Sequence, residues 1–167
     1  MAGPEPQETD FDGWAWHDCT IYGLELRVAE PERNDWTSDL VFHIDCIVEW
    51  LCAADSQQPA QFRVAPALLA FHGVTDPRIQ LGWGLSGYRS AITEIAIDHI
   101  ERRPARPTDG EPAHPLYYWR IVLNWPADSV IEFGADAFSQ FLLAGPILTD
   151  AQQLTPSQRK KALGLMP

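Results

Sequence analysis

The chain reads as an all-β protein, an antiparallel β-sandwich or open barrel with a short C-terminal helix. Three observations predict this. Apolar and polar residues alternate with period two in short segments spread along the chain. Turn-rich stretches of Pro, Gly, Asp and Ser separate those segments. Helix start and stop signals gather in the tail. About seven short strands with such spacing fit one antiparallel domain.

Residues 1–13 are acidic and carry Pro4 and Pro6, so they read as a flexible N-terminal arm. The remainder, 14–167, reads as a single β-rich domain without a linker or an internal repeat. "TIYGLELRV" (20–28) alternates, with Tyr22, Leu24, Leu26 and Val28 on one face and Gly23, Glu25 and Arg27 on the other. "EPERNDWTSD" is a turn-rich loop. In "SDLVFHIDCIVEW" every even position from Leu40 to Trp50 is apolar, which predicts a strand over 39–50. A helical stripe of Leu40, Ile44, Ile47, Val48 and Leu51 competes. It would strand Phe42 and Trp50, and the β-branched content favours the strand.

"AADSQQPAQ" is a loop, and a strand over 67–74 follows, with Pro66 near its start or at a bulge. The next strand is expected over 78–83, with Ile79, Leu81 and Trp83 facing one way. "GWGLSG" lacks the spacing of a phosphate-binding loop and reads as a turn. "AITEIAIDHI" suits a helix or a strand, and its neighbours favour the strand. "ERRPARPTDGEPAHP" is a long exposed loop. "LYYWRIVLNW" and "VIEFGA" alternate across "PADS" and predict a hairpin of strands 116–125 and 129–134. Phe42, Ile44, Trp119, Ile121, Leu123 and Phe133 are the expected core. In the tail, Thr155 is a candidate N-cap and Pro156 the first helical residue.

The formal net charge is −11, from 23 acidic against 12 basic residues. Such a surface repels nucleic-acid phosphates and anionic lipid, so no nucleic acid and no membrane are expected as partners. A neutral or basic protein partner suits it better. Cys19, Cys46 and Cys52 are an odd set with no CxxC pair, which argues against a disulfide scaffold and a structural zinc site. The N-terminus has no signal-peptide pattern, and no apolar run reaches the roughly 20 residues of a membrane span. A reduced, cytoplasmic protein without cofactor or metal is the expectation.

His17, Asp18, His43, Asp45 and His72 are the candidate binding residues. His17 and Asp18 could act as a base and its orienting acid, or ligate a metal. Adjacent strand residues point apart, so that use needs an irregular backbone. Their other reading is a turn at Asp18, with Trp14 and Trp16 closing one end of the core. His43 and Asp45 share one strand face, with Cα atoms about 6.6 Å apart. Strand polar faces elsewhere carry mixed charge, as in Glu25, Arg27, Arg120 and Glu132. His43 and Asp45 therefore read as the hydrated side of a sheet, where truncation costs less than about 1 kcal/mol. His72 reads as a hydrogen-bonded structural residue, and His99 and His114 show no partner in sequence.

"WHDCTIYGLEL", "DLVFHIDCIVEW", "APALLAFHGV" and "LNWPADSVIEFGADAF" together resemble a family of small uncharacterised bacterial proteins, over about residues 14 to 140. The shared order is an HD pair, a D-L-x-F-x-I-D strand, an F-H-x-V strand and a W-x-I-x-L-N-W-P strand. That resemblance implies no catalytic residue. A looser similarity links the opening to immunity proteins of bacterial toxin systems. With no nucleophile motif, phosphate loop or HExxH present, the reading favours a non-enzymatic binding or immunity-like module. The alternatives are a small metal-dependent enzyme built on the His and Asp residues, or a small-molecule-binding β-barrel lined by Trp83, Trp119 and Phe133.

Overall fold

The computed structural model describes residues 11–51, 59–84, 94–106 and 115–165. Nine strands follow in order: β1 (Thr20–Arg27), β2 (Asp39–Leu51), β3 (Gln61–His72), β4 (Thr75–Gln80), β5 (Ile95–Pro104), β6 (Tyr117–Trp125), β7 (Val130–Ala135), β8 (Ala137–Leu142) and β9 (Ile147–Thr149). A seven-residue helix, α1 (Pro156–Ala162), ends the fold. All strands belong to one antiparallel sheet with the path β4-β7-β6-β5-β1-β2-β3-β8, and β9 adds to β3. The expected all-β architecture with a short C-terminal helix is present, as an open sheet rather than a closed barrel.

The sheet curls until its two ends share one core. Phe71 of β3 lies 4.9 Å from Trp119 of β6 and 4.7 Å from Phe133 of β7, ring to ring. All six residues expected in the core are buried. The curl turns at a corner where β3 runs into β4 and β7 runs into β8. Gly73 takes a φ of 66° there, and the Asp136 amide donates to the His72 carbonyl at 2.9 Å. A Cβ on Gly73 would stand 2.6 Å from an Asp136 carboxylate oxygen, so the corner needs glycine on both counts.

Several boundaries differ from the sequence reading, each for a pairing reason. β3 starts at Gln61 because β2 continues to Leu51 and pairs with it throughout. Pro66 lies inside β3, opposite Asp45. On the other edge of β3, β8 ends at the Ala67 pair and β9 begins at the Val64 pair. Pro66 falls in that gap, where a missing N–H breaks no ladder. β4 spans Thr75–Gln80 and excludes Trp83, because its partner β7 begins at Val130, opposite Gln80. Glu101–Pro104 extend β5 along β6 instead of opening a loop. β8 and β9 were not expected. Ser139 and Gln140 are buried polar residues of β8, so period-two alternation is absent there.

The N-terminal arm is docked at its end. Phe11–Gly13 form a 3-10 turn, and the Phe11 ring lies 5.4 Å from Trp16 and 5.6 Å from Trp119. Residues 1–10, 52–58 with Cys52, "LSGYRSAIT" (85–93), 107–114 with His114, and 166–167 lie outside the described residues.

Candidate functional site

Asp45 corrects the hydrated-face reading. Its side chain is fully buried, and its carboxylate accepts two hydrogen bonds from Arg159 Nε at 2.9 and 3.1 Å and one from Nη2 at 2.9 Å. The Leu154 amide adds a fourth at 2.8 Å. The odd face of β2 is apolar-lined too: Val41 and Ile47 are buried. The tail that leads into α1 lies over this face, with Leu154 buried against the core. Thr155 caps α1 and Pro156 occupies the first turn, as the sequence predicts, and Gln158 completes a reciprocal capping box with Thr155. The cap sets where Arg159 emerges, one turn into the helix.

The even face of β2 also departs from expectation at its far end. A bulge between Ile47 and Glu49 shifts the register, so Val48 and Trp50 are exposed although Leu40, Phe42, Ile44 and Cys46 are buried.

His43 is half-exposed, 3.9 Å from a Glu25 carboxylate oxygen, with its ring 6.0 Å from that of Tyr22. Tyr22 sits on this side because a bulge in β1 between Ile21 and Gly23 turns it away from Leu24. Its ring lies 4.2 Å beneath the Arg159 guanidinium, and burial pushes its phenol pKa up.

His17 and Asp18 do come together, at 3.5 Å between Nε2 and Oδ2. The irregular backbone this requires is present: Asp18 has a φ of 61°. The Asp18 carboxylate is already engaged by Asn124 and, at 2.9 Å, by Gln152. His17 Nδ1 lies 3.1 Å from the Asp98 carbonyl and 3.3 Å from its carboxylate. His72 is a structural bridge, 3.2 Å from Asp39 Oδ1 and 2.8 Å from Ser139 Oγ. His17 and Asp18 thus pair with each other, while His43 lies near Glu25, Asp45 is held by Arg159, and His72 by Asp39 and Ser139. Among the described residues, no three His, Cys, Asp or Glu side chains are grouped to hold a metal ion.

Cys19 and Cys46 are buried free thiols, and the Ile47 amide donates to Cys19 Sγ at 3.4 Å. Gln140 ties them to the core: its Nε2 reaches Cys46 Sγ at 3.5 Å and its Oε1 accepts from the Trp16 indole at 2.7 Å. The Cys46 hydrogen bond and burial push the Cys19 thiol far above its ordinary range, while hydrogen bonds from Cys19 and Gln140 lower Cys46.

The proposed barrel-lining set does not form a ligand cavity either. Trp119 and Phe133 pack onto Phe71, whereas Trp83 lines a separate depression with Trp125 and Pro126. Another feature lies between β1 and β5, which pair only at Thr20 and Ile21. Beyond that point a cavity of about 540 Å³ opens, lined by Leu24, Leu81, Ile95, Ile131, Pro156 and Arg159 among others. Leu24 and Leu26 sit opposite the core residues Phe42 and Leu40, and so face the core side. Yet they are 44% and 48% exposed, and Val28 is 70% exposed. Among the described residues, β1 from Gly23 to Arg27 has β2 on one edge and no strand on the other.

Sequence reasoning placed these leucines on one strand face with Tyr22 and Val28. The signal it lacked is the early parting of β1 from β5, which is a property of pairing and not of either strand alone. No family model matches this chain, and no curated protein or solved structure does either.

Proposed function

We propose that the chain is a non-enzymatic binding module that receives an extended peptide segment along the open edge of β1. The carrying observation is the exposed, core-facing pair Leu24 and Leu26 on an edge without a strand beside it among the described residues. A strand added there would satisfy backbone groups and cover apolar surface at once. The polar residues that would serve an enzyme are engaged elsewhere: Asp45 by Arg159, Asp18 by Asn124 and Gln152, and His72 by Asp39 and Ser139. The net charge of −11 supports a neutral or basic protein partner, in keeping with an immunity-like role in a bacterial cell. Buried free thiols at Cys19 and Cys46 support a reducing, cytoplasmic setting.

Selection of a displayed library of short extended peptides against the purified chain tests this reading. Enriched peptides should bind the wild type and lose binding to Leu26→Pro, which removes one edge N–H and leaves the core untouched. Absence of enriched binders, or binders indifferent to Leu26→Pro, would overturn it.

A second reading, a small metal-dependent enzyme, draws on His17, whose side chain is 61% exposed between Asp18 and Asp98. Stoichiometric metal in the purified chain, lost in His17→Ala, would favour it.

A further inference from the structure

The edge of β1 that has no strand beside it among the described residues is complementary to itself, and we propose that its occupant is β1 of a second copy of this chain, related by a two-fold axis through Leu26. This rests on the reading of β1 as a binding edge and names the partner.

Backbone direction comes first. Alternate residues of a strand direct their N–H and C=O to opposite edges. The Cys19 carbonyl accepts from Ile97 on the β5 side, and the Ala29 amide reaches Ser38 on the β2 side. With the extra residue at Tyr22, the alternation puts the N–H and C=O groups of Leu24, Leu26 and Val28 on the open edge. An antiparallel pairing centred on Leu26 sets Leu26 opposite the second copy's Leu26, and Leu24 opposite its Val28. All the outward backbone groups of these residues then meet partners.

Side chains agree with the same register. Leu24, Leu26 and Val28 form one apolar row, and each meets an apolar residue across the axis. All three are exposed in the single chain. On the opposite face, Glu25 falls across from the second copy's Arg27, and Arg27 from its Glu25. Within one chain these two already bond each other, with Arg27 Nε 2.9 Å from Glu25 Oε1, and both side chains are about half exposed. A pairing that sets Glu25 opposite a leucine turns the outward backbone groups away, and one centred on Glu25 keeps those groups paired but sets Glu25 opposite itself. Only the centred register satisfies backbone, apolar row and charge together, which is the property of an isologous interface. Each copy carries a formal charge of −11, and in this register the Arg27 of each copy meets an acid of the other, which opposes that repulsion at the contact.

Charge exchange tests the pairing. Sedimentation equilibrium of the full chain over a wide concentration range should show a monomer–dimer equilibrium. Arg27→Glu alone and Glu25→Arg alone should each weaken it by about tenfold, because like charges then oppose one another twice. An equimolar mixture of the two variants should restore association as a heterodimer, and the double exchange E25R/R27E should restore the homodimer. Unchanged thermal melts of these exposed-site variants verify that folding is intact. A wild type that stays monomeric throughout, or a dimer indifferent to both single variants, overturns the proposal. The peptide-binding experiment remains separate. Peptide binding lost in Leu26→Pro, with a monomeric wild type, would retain the edge reading and reject the second copy. Failure of both would reject the edge itself.

Discussion

Arg159 holds Asp45 by a fork of hydrogen bonds, Nε and Nη2 each 2.9 Å from a carboxylate oxygen, across 114 positions of sequence. This pair fastens the C-terminal helix to the second face of β2. The carboxylate has no exposure, while the guanidinium keeps an edge toward solvent and stacks over Tyr22.

That asymmetry makes a prediction. Arg159→Ala leaves a buried carboxylate with only the Leu154 amide and should cost about 3–5 kcal/mol. Asp45→Ala releases an arginine that can turn outward and should cost less, about 2 kcal/mol. The double variant should lose less than the sum of the two. Denaturant melts of the three variants measure this, and near-additive losses would show that the residues do not act as a pair.

Trp119 joins the two ends of the curled sheet, with its ring near those of Phe11, Phe71 and Phe138 and its indole N–H donating to the Ala135 carbonyl at 3.2 Å. Trp119→Ala should cost about 3–5 kcal/mol. An unchanged unfolding midpoint would contradict its place in the core.

His99 predicts a pH dependence. Its ring nitrogens lie 2.8 Å from Asp98 and 3.1 Å from Glu101, and these hydrogen bonds, that of Asp98 first, raise its pKa above the ordinary 6.5. A raised folded pKa means that the stabilisation is fully present below the unfolded value and is lost as pH rises through the folded value. His99→Gln should therefore lower Tm more at about pH 5.5 than at about pH 8.5. An equal difference at both values would show that the imidazolium pairs contribute nothing.

Cys19 should resist alkylation in the native chain. Its thiol is buried and held neutral by the hydrogen bond with Cys46 and by desolvation. Peptide mapping after iodoacetamide at mildly alkaline pH should find Cys19 unmodified until denaturant is added. Rapid labelling of the folded protein would sink this.

Alternation alone determined the strands around Leu40–Cys46, Trp119–Leu123 and Ile131–Phe133, because a half-buried sheet imposes period two on its side chains. Local capping chemistry likewise determined the start of α1 at Thr155 and Pro156. Period two says which residues share a face, but not whether that face is wet. Asp45 was read as hydrated because nothing near it in sequence announces a tail that returns with Leu154 and Arg159. β8 was hidden for a related reason: Ser139 and Gln140 are buried through partners on distant elements, His72 for one and Trp16 with Cys46 for the other. The candidate site followed the same division. The pattern Leu24-Glu25-Leu26-Arg27-Val28 is plain in the sequence, but its exposure follows from β1 and β5 parting after two pairs. Burial and edge status belong to the whole sheet. They arise from long-range pairing, which only the tertiary structure decides.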